Sequence, residues 1–526
     1  MKKSDKYINR ILIIAIIVTV NVFSLYVFKR FDLTKTQAFT LSRATRNVID
    51  DLDEPITIRL FFSRNLPAHL NNVRNYVRDL LQEYQTYSRG RVRFEFINPD
   101  SEERFRMEAE RANIPPIPIE IIERDRIELR EVFLGASVIY RRENTLIPLI
   151  NATEGLEFLL TNTIKALSVP RQRHIAYFQP LTEQERAMQW ELPIPHNVAI
   201  LDRLISSVAI LDRTDLFSPL PASTDMLIIN AVRDSLHVRQ LYEIDQFIMR
   251  GKPVLIFQDR YVADLNMSNA HLFDNNFLGM MRAYGIHVKP SLVLDANCFQ
   301  ITTQRMQGGS VVPVNFPYPF FPMIQSFSDT LAIHTGLRWV QVFYTSGISY
   351  AGRDAMRNTP ILFTSPQATE IAGFQVNTDH RSYANLDFAT LFRHGPVSIA
   401  NLFRGTVTSF FADRETMPPG FVAQTENAVI FVAGTTSLLN NDLLANSMGN
   451  ASFILNLIDY LTGYEDFIFM RSRDIAHSSL VNLSSDERRF FRNINLVLPF
   501  VIIVLSAVVF RAMFNRHKKR IKRLAS

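Results

Sequence analysis

The sequence predicts an α/β protein: a thioredoxin-like domain and a Rossmann- or flavodoxin-like domain with a β-rich insertion, flanked by two transmembrane helices. Three observations carry that prediction. Apolar runs at Ile11 to Phe28 and at about Ile494 to Phe510 sit beside basic clusters at the two ends of the chain. Residues 31–170 alternate helices and strands in the order βαβ, α, ββα, the order of a thioredoxin fold. From His174 onward, strands of unbroken apolar character alternate with helices, the pattern of a parallel sheet covered on both faces.

The composition narrows the class further. With 47% apolar, 21% charged and 11% aromatic residues in 526, the chain is neither disordered nor collagen-like and must bury real cores. Its single cysteine, Cys298, excludes a disulfide framework and any multi-cysteine metal or redox motif. The net charge of +6 is uneven: residues 1–30 carry +5 and residues 511–526 carry +7, which leaves −6 on residues 31–510. The bulk of the protein is mildly acidic, so nucleic acid is not an expected partner.

Taken in order, residues 1–30 read as a cytoplasmic N-terminus and a first span. Lys2, Lys3, Lys6 and Arg10 precede the apolar run, and Leu25-Tyr26-Val27-Phe28-Lys29-Arg30 offers no small-residue cleavage site, which predicts an uncleaved anchor. In residues 31–170, Ile56 to Phe62 and Arg91 to Phe96 alternate as strands. The helix between them carries Val73, Val77, Leu80, Leu81 and Tyr84 at helical spacing. A polar helix (Glu102 to Ala112), an extended segment (Ile114 to Pro118), two strands (Phe133 to Tyr140, Thr145 to Ile150) and a helix (Thr153 to Leu167) complete the unit. In residues 171–475, His174 to Phe178, Thr224 to Asn230, Pro253 to Phe257 and Ala428 to Ala433 read as buried strands of one Rossmann-like sheet, interrupted by a β-rich insertion near 300–425. A linker (476–493), a second span (494–514) and a basic tail (515–526) follow. The flanking cations predict a protein of the bacterial cytoplasmic (inner) membrane, with both termini cytoplasmic and residues of about 31–490 outside.

Chemistry is sparse. Where a thioredoxin carries Cys-x-x-Cys, this chain has Ser63-Arg64-Asn65-Leu66-Pro67, so the scaffold predicts binding rather than redox work. At the carboxyl end of a parallel strand, Gly434, Thr435, Thr436 and Ser437 form a candidate ligand turn, though without the lysine of a phosphate loop; a helix-capping turn explains them equally well. No histidine pair has metal-ligand spacing, and no Gly-x-Ser-x-Gly elbow occurs, so no cofactor or metal is expected. Four prolines interrupt Val312 to Pro322, a segment too apolar for a solvated loop. Its Phe316, Tyr318, Phe320 and Phe321 are read either as an exposed partner contact or as a plug in the insertion. Asn21, in the first run, is a candidate for hydrogen bonding to a neighbouring helix in the membrane.

Several stretches in chain order resemble the GldG family, the gliding-motility-associated auxiliary subunits of bacterial ABC transport systems. They are Arg30-Phe31-Asp32-Leu33-Thr34, Phe39-Thr40-Leu41-Ser42, Asp79 to Tyr84, Phe94 to Asp100, Asp245 to Lys252, Tyr284-Gly285-Ile286, Asn456 to Gly463 and Arg471-Ser472-Arg473. The resemblance implies a non-catalytic membrane subunit working with a separate permease and a separate ATP-binding subunit, with an outer domain similar to one in intraflagellar-transport proteins. The turn after Gly434 departs from the expected pattern, carrying hydroxyls in place of acidic residues.

The expected function is thus an auxiliary, substrate-contacting or coupling subunit of an ABC-type complex, with membrane lipid and a second copy of the chain as further candidate partners. The alternative is a membrane-anchored envelope hydrolase or transferase acting on glycans. That enzyme would need convergent acid/base groups, for which Asp295, Asp379, His380 and Asp459 are the scattered candidates.

Overall fold

The computed structural model describes residues 40–475, apart from 124–125, 154, 169–172, 182–197, 207, 264–267, 308–309, 329–330, 353–355 and 384–385, together with residue 511. Ser42 caps the first helix, α1 (Arg43–Asp50), its hydroxyl oxygen accepting from the Thr45 N–H at 3.1 Å. Strand β1 (Ile56–Phe62) leads into α2 (Ala68–Tyr87), whose Leu70, Val73, Val77, Leu80, Leu81 and Tyr84 form one buried stripe. Then follow β2 (Val92–Ile97), α3 (Glu103–Arg111), a hairpin of β3 (Ile117–Glu123) and β4 (Arg126–Val132), β5 (Leu134–Tyr140), β6 (Glu143–Ile147) and α4 (Leu156–Ser168). The four-stranded sheet runs β2-β1-β5-β6, with β1 and β2 parallel and β5 antiparallel to both of its neighbours. The hairpin β3-β4 pairs only with itself among the described residues, where the sequence suggested an extended connection.

A second sheet is built on β7 (His174–Phe178), β8 (Ile210–Arg213), β9 (Thr224–Asn230) and β10 (Val254–Phe257). With the strand Gln424–Ala433 these make five parallel strands in the order β8-β7-β9-β10-(424–433). Helices α5 (Ala199–Ile205) and Met448–Leu461 cover one face, and α6 (Val238–Met249) and α7 (Asn276–Ala283) cover the other. The region of the predicted β-rich insertion contains small sheets of its own, such as Cys298–Gln307 with Ser310–Ile324 and Val340–Gln341, and also adds strands to the large sheet. Its strands Ser398–Thr408, Met356–Phe363 and Ser326–Phe327 continue the sheet in antiparallel fashion, giving eight strands among the described residues. The reason is burial: Ile399, Ala400, Leu402 and Phe403 fill both faces of Ser398–Thr408, which covers an edge that Gln424–Ala433 would otherwise leave unpaired.

The predicted fold class also needs correction on the membrane. The expected spans, Ile11 to Phe28 and about Ile494 to Phe510, lie outside the described residues, and among the described residues no helix is long and apolar enough to cross a bilayer. The 20-residue α2 has the length, but Arg74, Arg78, Asp79 and Glu83 along it make it a surface helix with one buried stripe. What the structure shows is a mixed α/β chain with several sheets.

The two main sheets meet through the end of the described chain. Helix Glu465–Ile475 inserts Phe467 and Met470 into the core of the first sheet. Just before it, the buried Asp459 accepts from Arg173 Nη1 at 3.0 Å and from Arg471 Nη2 at 2.6 Å, while Arg471 also donates to Asn456 Oδ1. Beside this cluster, Lys165 Nζ lies 3.3 Å from the centroid of Tyr464 and 4.1 Å from that of Phe467. Burial first, and then Arg173, push its ammonium down to about 7 from 10.5, with Asp459 acting the other way.

Two expectations follow. Replacing Asp459 by Ala leaves the buried Arg471 and the nearly buried Arg173 without their counter-ion and should cost about 3–5 kcal/mol, read as a lowered denaturation midpoint. A loss under about 1 kcal/mol, the size of an exposed pair, would show the cluster to be solvated. Because folding favours the neutral Lys165 amine, its contribution is fully present above 10.5 and is lost as pH falls towards about 7. Lys165→Met should therefore gain stability relative to wild type between about pH 10 and pH 7; a pH-independent difference between the two proteins would rule this out.

Candidate functional site

In a parallel sheet of this kind, ligands are expected at the carboxyl ends of the strands, above all where the strand order reverses. Here the reversal falls at β7, flanked by β8 on one side and β9 on the other. The residues beyond the strand ends are polar. Asn230, at the end of β9, donates from Nδ2 to Tyr177 Oη at 3.0 Å and to Gln179 Oε1 at 3.3 Å, and the Tyr177 hydroxyl donates to Gln179 Oε1 at 2.6 Å. The Asn230 Oδ1 atom is buried and has no partner. Gln258, directly after β10, is fully buried; its amide nitrogen donates to the carbonyls of Val232 and Asp259, and its Oε1 has no partner either.

The predicted ligand turn lies on the same edge, after Gln424–Ala433. Asp259 accepts from both the backbone N–H and the hydroxyl of Thr436, each at 2.8 Å, and burial raises its carboxyl above the usual range. The Thr435 hydroxyl donates to the Phe343 carbonyl at 2.9 Å, and Ser437 Oγ accepts from the Phe343 N–H at 2.8 Å. A Cβ at Gly434 would collide with the carbonyl oxygen of Ser346, so the glycine serves close backbone approach. The turn is knitted to its neighbours, and its hydroxyls are engaged. The edge therefore offers amide and hydroxyl hydrogen bonding, with the Asp259 carboxyl locked to Thr436, an arrangement suited to holding a ligand.

The other sequence candidates are placed elsewhere. The Pro/Phe segment is part of the strand Ser310–Ile324, where Tyr318, Phe320 and Phe321 are buried and Phe316 is half-buried. The Tyr318 hydroxyl donates to the Thr378 carbonyl at 2.6 Å, and Phe321 lies 4.0 Å, centroid to centroid, from Phe343. The reading of this segment as an exposed contact is thus corrected: it is core packing. The pairing with Cys298–Gln307 shifts register between Cys298 and Gln300, which leaves Pro319 outside the paired positions, while Pro313, Pro317 and Pro322 lie at paired ones. Asn21 lies outside the described residues.

Of the four acid/base candidates, the sequence neighbours Asp379 and His380 lie 3.7 Å apart, and Asp379 is also held by Arg381, while Asp295 and Asp459 are engaged by other residues. Asp295 accepts from the N–H and hydroxyl of Ser365, at 2.8 and 2.5 Å. Asp379 pairs with Arg381 and His380, and Asp459 with Arg173 and Arg471. Burial, and then Asp295, push the Cys298 thiol up to about 12, so it stays protonated at neutral pH. Among the described residues no group of three or more His, Cys, Asp or Glu side chains could hold a metal ion. Asn230, Gln258 and Asp259 were not singled out from the sequence, although a signal existed: each ends or directly follows an apolar strand run, where side chains leave the core.

Residues 195–457, half of the chain, match the family model described as an ABC-type uncharacterized transport system and carried by auxiliary components of such systems. The chain belongs to this family. Residues 35–139 match a second model, a domain of unknown function, DUF7088. An uncharacterized protein of Borreliella burgdorferi is 20% identical over 514 residues, covering 94% of each chain. Among solved structures, the mmIFT52 N-terminal domain is similar with a TM-score of 0.32 at 10% identity, over 55% of this chain and 96% of that one. A putative ThuA-like protein of Parabacteroides merdae has a TM-score of 0.27 at 12% identity, over 56% and 91%. Likenesses at these scores carry no argument. The ABC-transport family model covers β8, β9, β10 and the Gly434 turn, so the polar strand ends from Asn230 onward belong to the family's own region.

The burial of the Pro/Phe segment is testable. Phe320→Ala should cost about 3–5 kcal/mol as a core cavity, measured by chemical denaturation. A cost near zero would return the segment to the surface.

Proposed function

We propose that the chain is a non-catalytic subunit of a bacterial ABC-type transport complex, contacting the transported substrate or coupling its binding to a separate permease and a separate ATP-binding subunit. The observation that carries this reading is the carboxyl edge of the large sheet. Its amides and hydroxyls are hydrogen-bonded, its Asp259 carboxyl is engaged by Thr436, and two buried carbonyl oxygens, Asn230 Oδ1 and Gln258 Oε1, are left without partners. Such a surface recognises hydrogen-bond donors and has little to offer a proton-transfer step. Membership of the ABC-type family supports the transport setting. The GldG-like stretches support the finer reading as an auxiliary subunit, and the cytoplasmic membrane is where its partners would work.

The test is recovery of the full chain from gently solubilised membranes of its host. An ATP-binding protein and a multi-span permease should co-purify in fixed proportion. Recovery of the chain alone under conditions that preserve other transport complexes would overturn the assembly. Turnover of ATP or of an envelope glycan by the isolated chain would overturn its non-catalytic character.

A further inference from the structure

A cluster of arginines lies at the other end of the molecule's chemistry, in the first sheet. Arg64 sits in the exposed turn after β1, where a thioredoxin-type protein would carry its redox pair, and Arg74 and Arg78 lie one turn apart on α2. The guanidinium carbons of Arg74 and Arg78 are 5.8 and 5.2 Å from the centroid of the same ring, Phe96 on β2. Cation–π attraction of this kind does not consume the guanidinium N–H groups, which can still donate to an oxyanion.

Three features show that this charge is unspent. None of the three arginines takes part in an ion pair among the described residues, and the buried Nε of Arg74 has no hydrogen-bond partner. Burial and the nearby charges of Arg78 and Arg64 lower the Arg74 guanidinium, with no carboxylate acting against them. The N-terminus of the 20-residue α2 begins four residues after Arg64; its cap, Pro67, makes no side-chain hydrogen bond, and its first turn has no acidic residue. The Ser63 backbone and hydroxyl are fixed to Phe133, so the turn that carries Arg64 is held in place.

We infer that Arg74 and Arg78, preorganised on Phe96, form with the neighbouring Arg64 a binding site for a phosphate-class oxyanion, with guanidinium N–H groups donating to its oxygens. Three cations without counter-ions match a doubly charged phosphate group better than a single carboxylate. The site lies outside the residues matched to the ABC-type family and does not depend on the transport reading.

Inorganic phosphate is titrated into the full chain at low salt and followed by calorimetry. In parallel, the chain is floated with vesicles of phosphatidylcholine alone or with phosphatidylglycerol. Binding of phosphate should be saturable and about tenfold or more weaker in Arg74→Gln/Arg78→Gln. The single variant Arg64→Gln, at an exposed position, should also weaken it, while Arg93→Gln on the exposed face of β2 leaves it unchanged. Saturation by phosphate without vesicle binding supports a site for a free phosphate-bearing ligand. Flotation with phosphatidylglycerol that inorganic phosphate competes away supports a lipid headgroup at the same site. Absence of binding to both probes, or equal binding by wild type and by Arg64→Gln and the double variant, overturns the proposal.

Discussion

One buried carboxylate ties the start of the large sheet to the last described helix. Asp459 lies near the end of the helix that covers the large sheet, and its two arginines come from far apart: Arg173 is 286 residues earlier and Arg471 is 12 residues later. Arg173 immediately precedes β7, where the chain enters the large sheet, and Arg471 lies in the helix that leaves it for the first sheet. A buried ion pair contributes little net stability over apolar packing of the same volume, because desolvation offsets the Coulombic gain. What it does impose is position, since any displacement of one partner strands a charge in the interior. The pair thereby fixes the chain's entry into the large sheet and its exit towards the first, and Phe467, Met470 and the Lys165 aromatic pocket are held in register by it.

The large sheet shows how far local pattern reaches. Strands β7, β9, β10 and Gln424–Ala433 were legible because each is a short apolar run between turn signals, and in a doubly covered parallel sheet such a run has no polar face. The antiparallel extension was not legible. Ser398–Thr408 contains Asn401, Arg404 and Gly405 and resembles a loop locally; it becomes a central strand only because its neighbours on both sides satisfy its backbone. The Pro/Phe segment fails in the opposite sense. Its prolines argue against a strand at every local level, yet the segment pairs with Cys298–Gln307, a register shift takes up Pro319, and a cluster of tyrosine and phenylalanine rings buries its far end.

The candidate site was legible only in outline. The sequence located the right edge of the sheet through Gly434 to Ser437, because a glycine after an apolar strand marks a carboxyl-end turn. It did not reveal that those hydroxyls are used up by Asp259 and Phe343, since both partners lie about 90 residues or more away in sequence. The unpartnered Asn230 and Gln258 oxygens are likewise a property of packing, invisible until every neighbouring donor has been placed.

The contrast between the two sheets bears on how such a chain divides its work. Around the large sheet, three buried carboxyls are held by neutral hydrogen-bond donors: Asp259 by Thr436, Asp295 by Ser365, Asp245 by Tyr284, Ser409 and the Phe410 N–H. These three are engaged by the fold, which favours a rigid scaffold and leaves neutral amides at the strand ends. At the first sheet the reverse holds, with three guanidinium groups stacked or exposed and no acid to meet them. Keeping like charges together in a folded protein is unfavourable in isolation, and among the described residues the Phe96 ring is the compensation that Arg74 and Arg78 receive. An oxyanion at the proposed site would relieve the remaining repulsion, which is how charge at the first sheet would serve a partner where the large sheet offers mainly neutral groups.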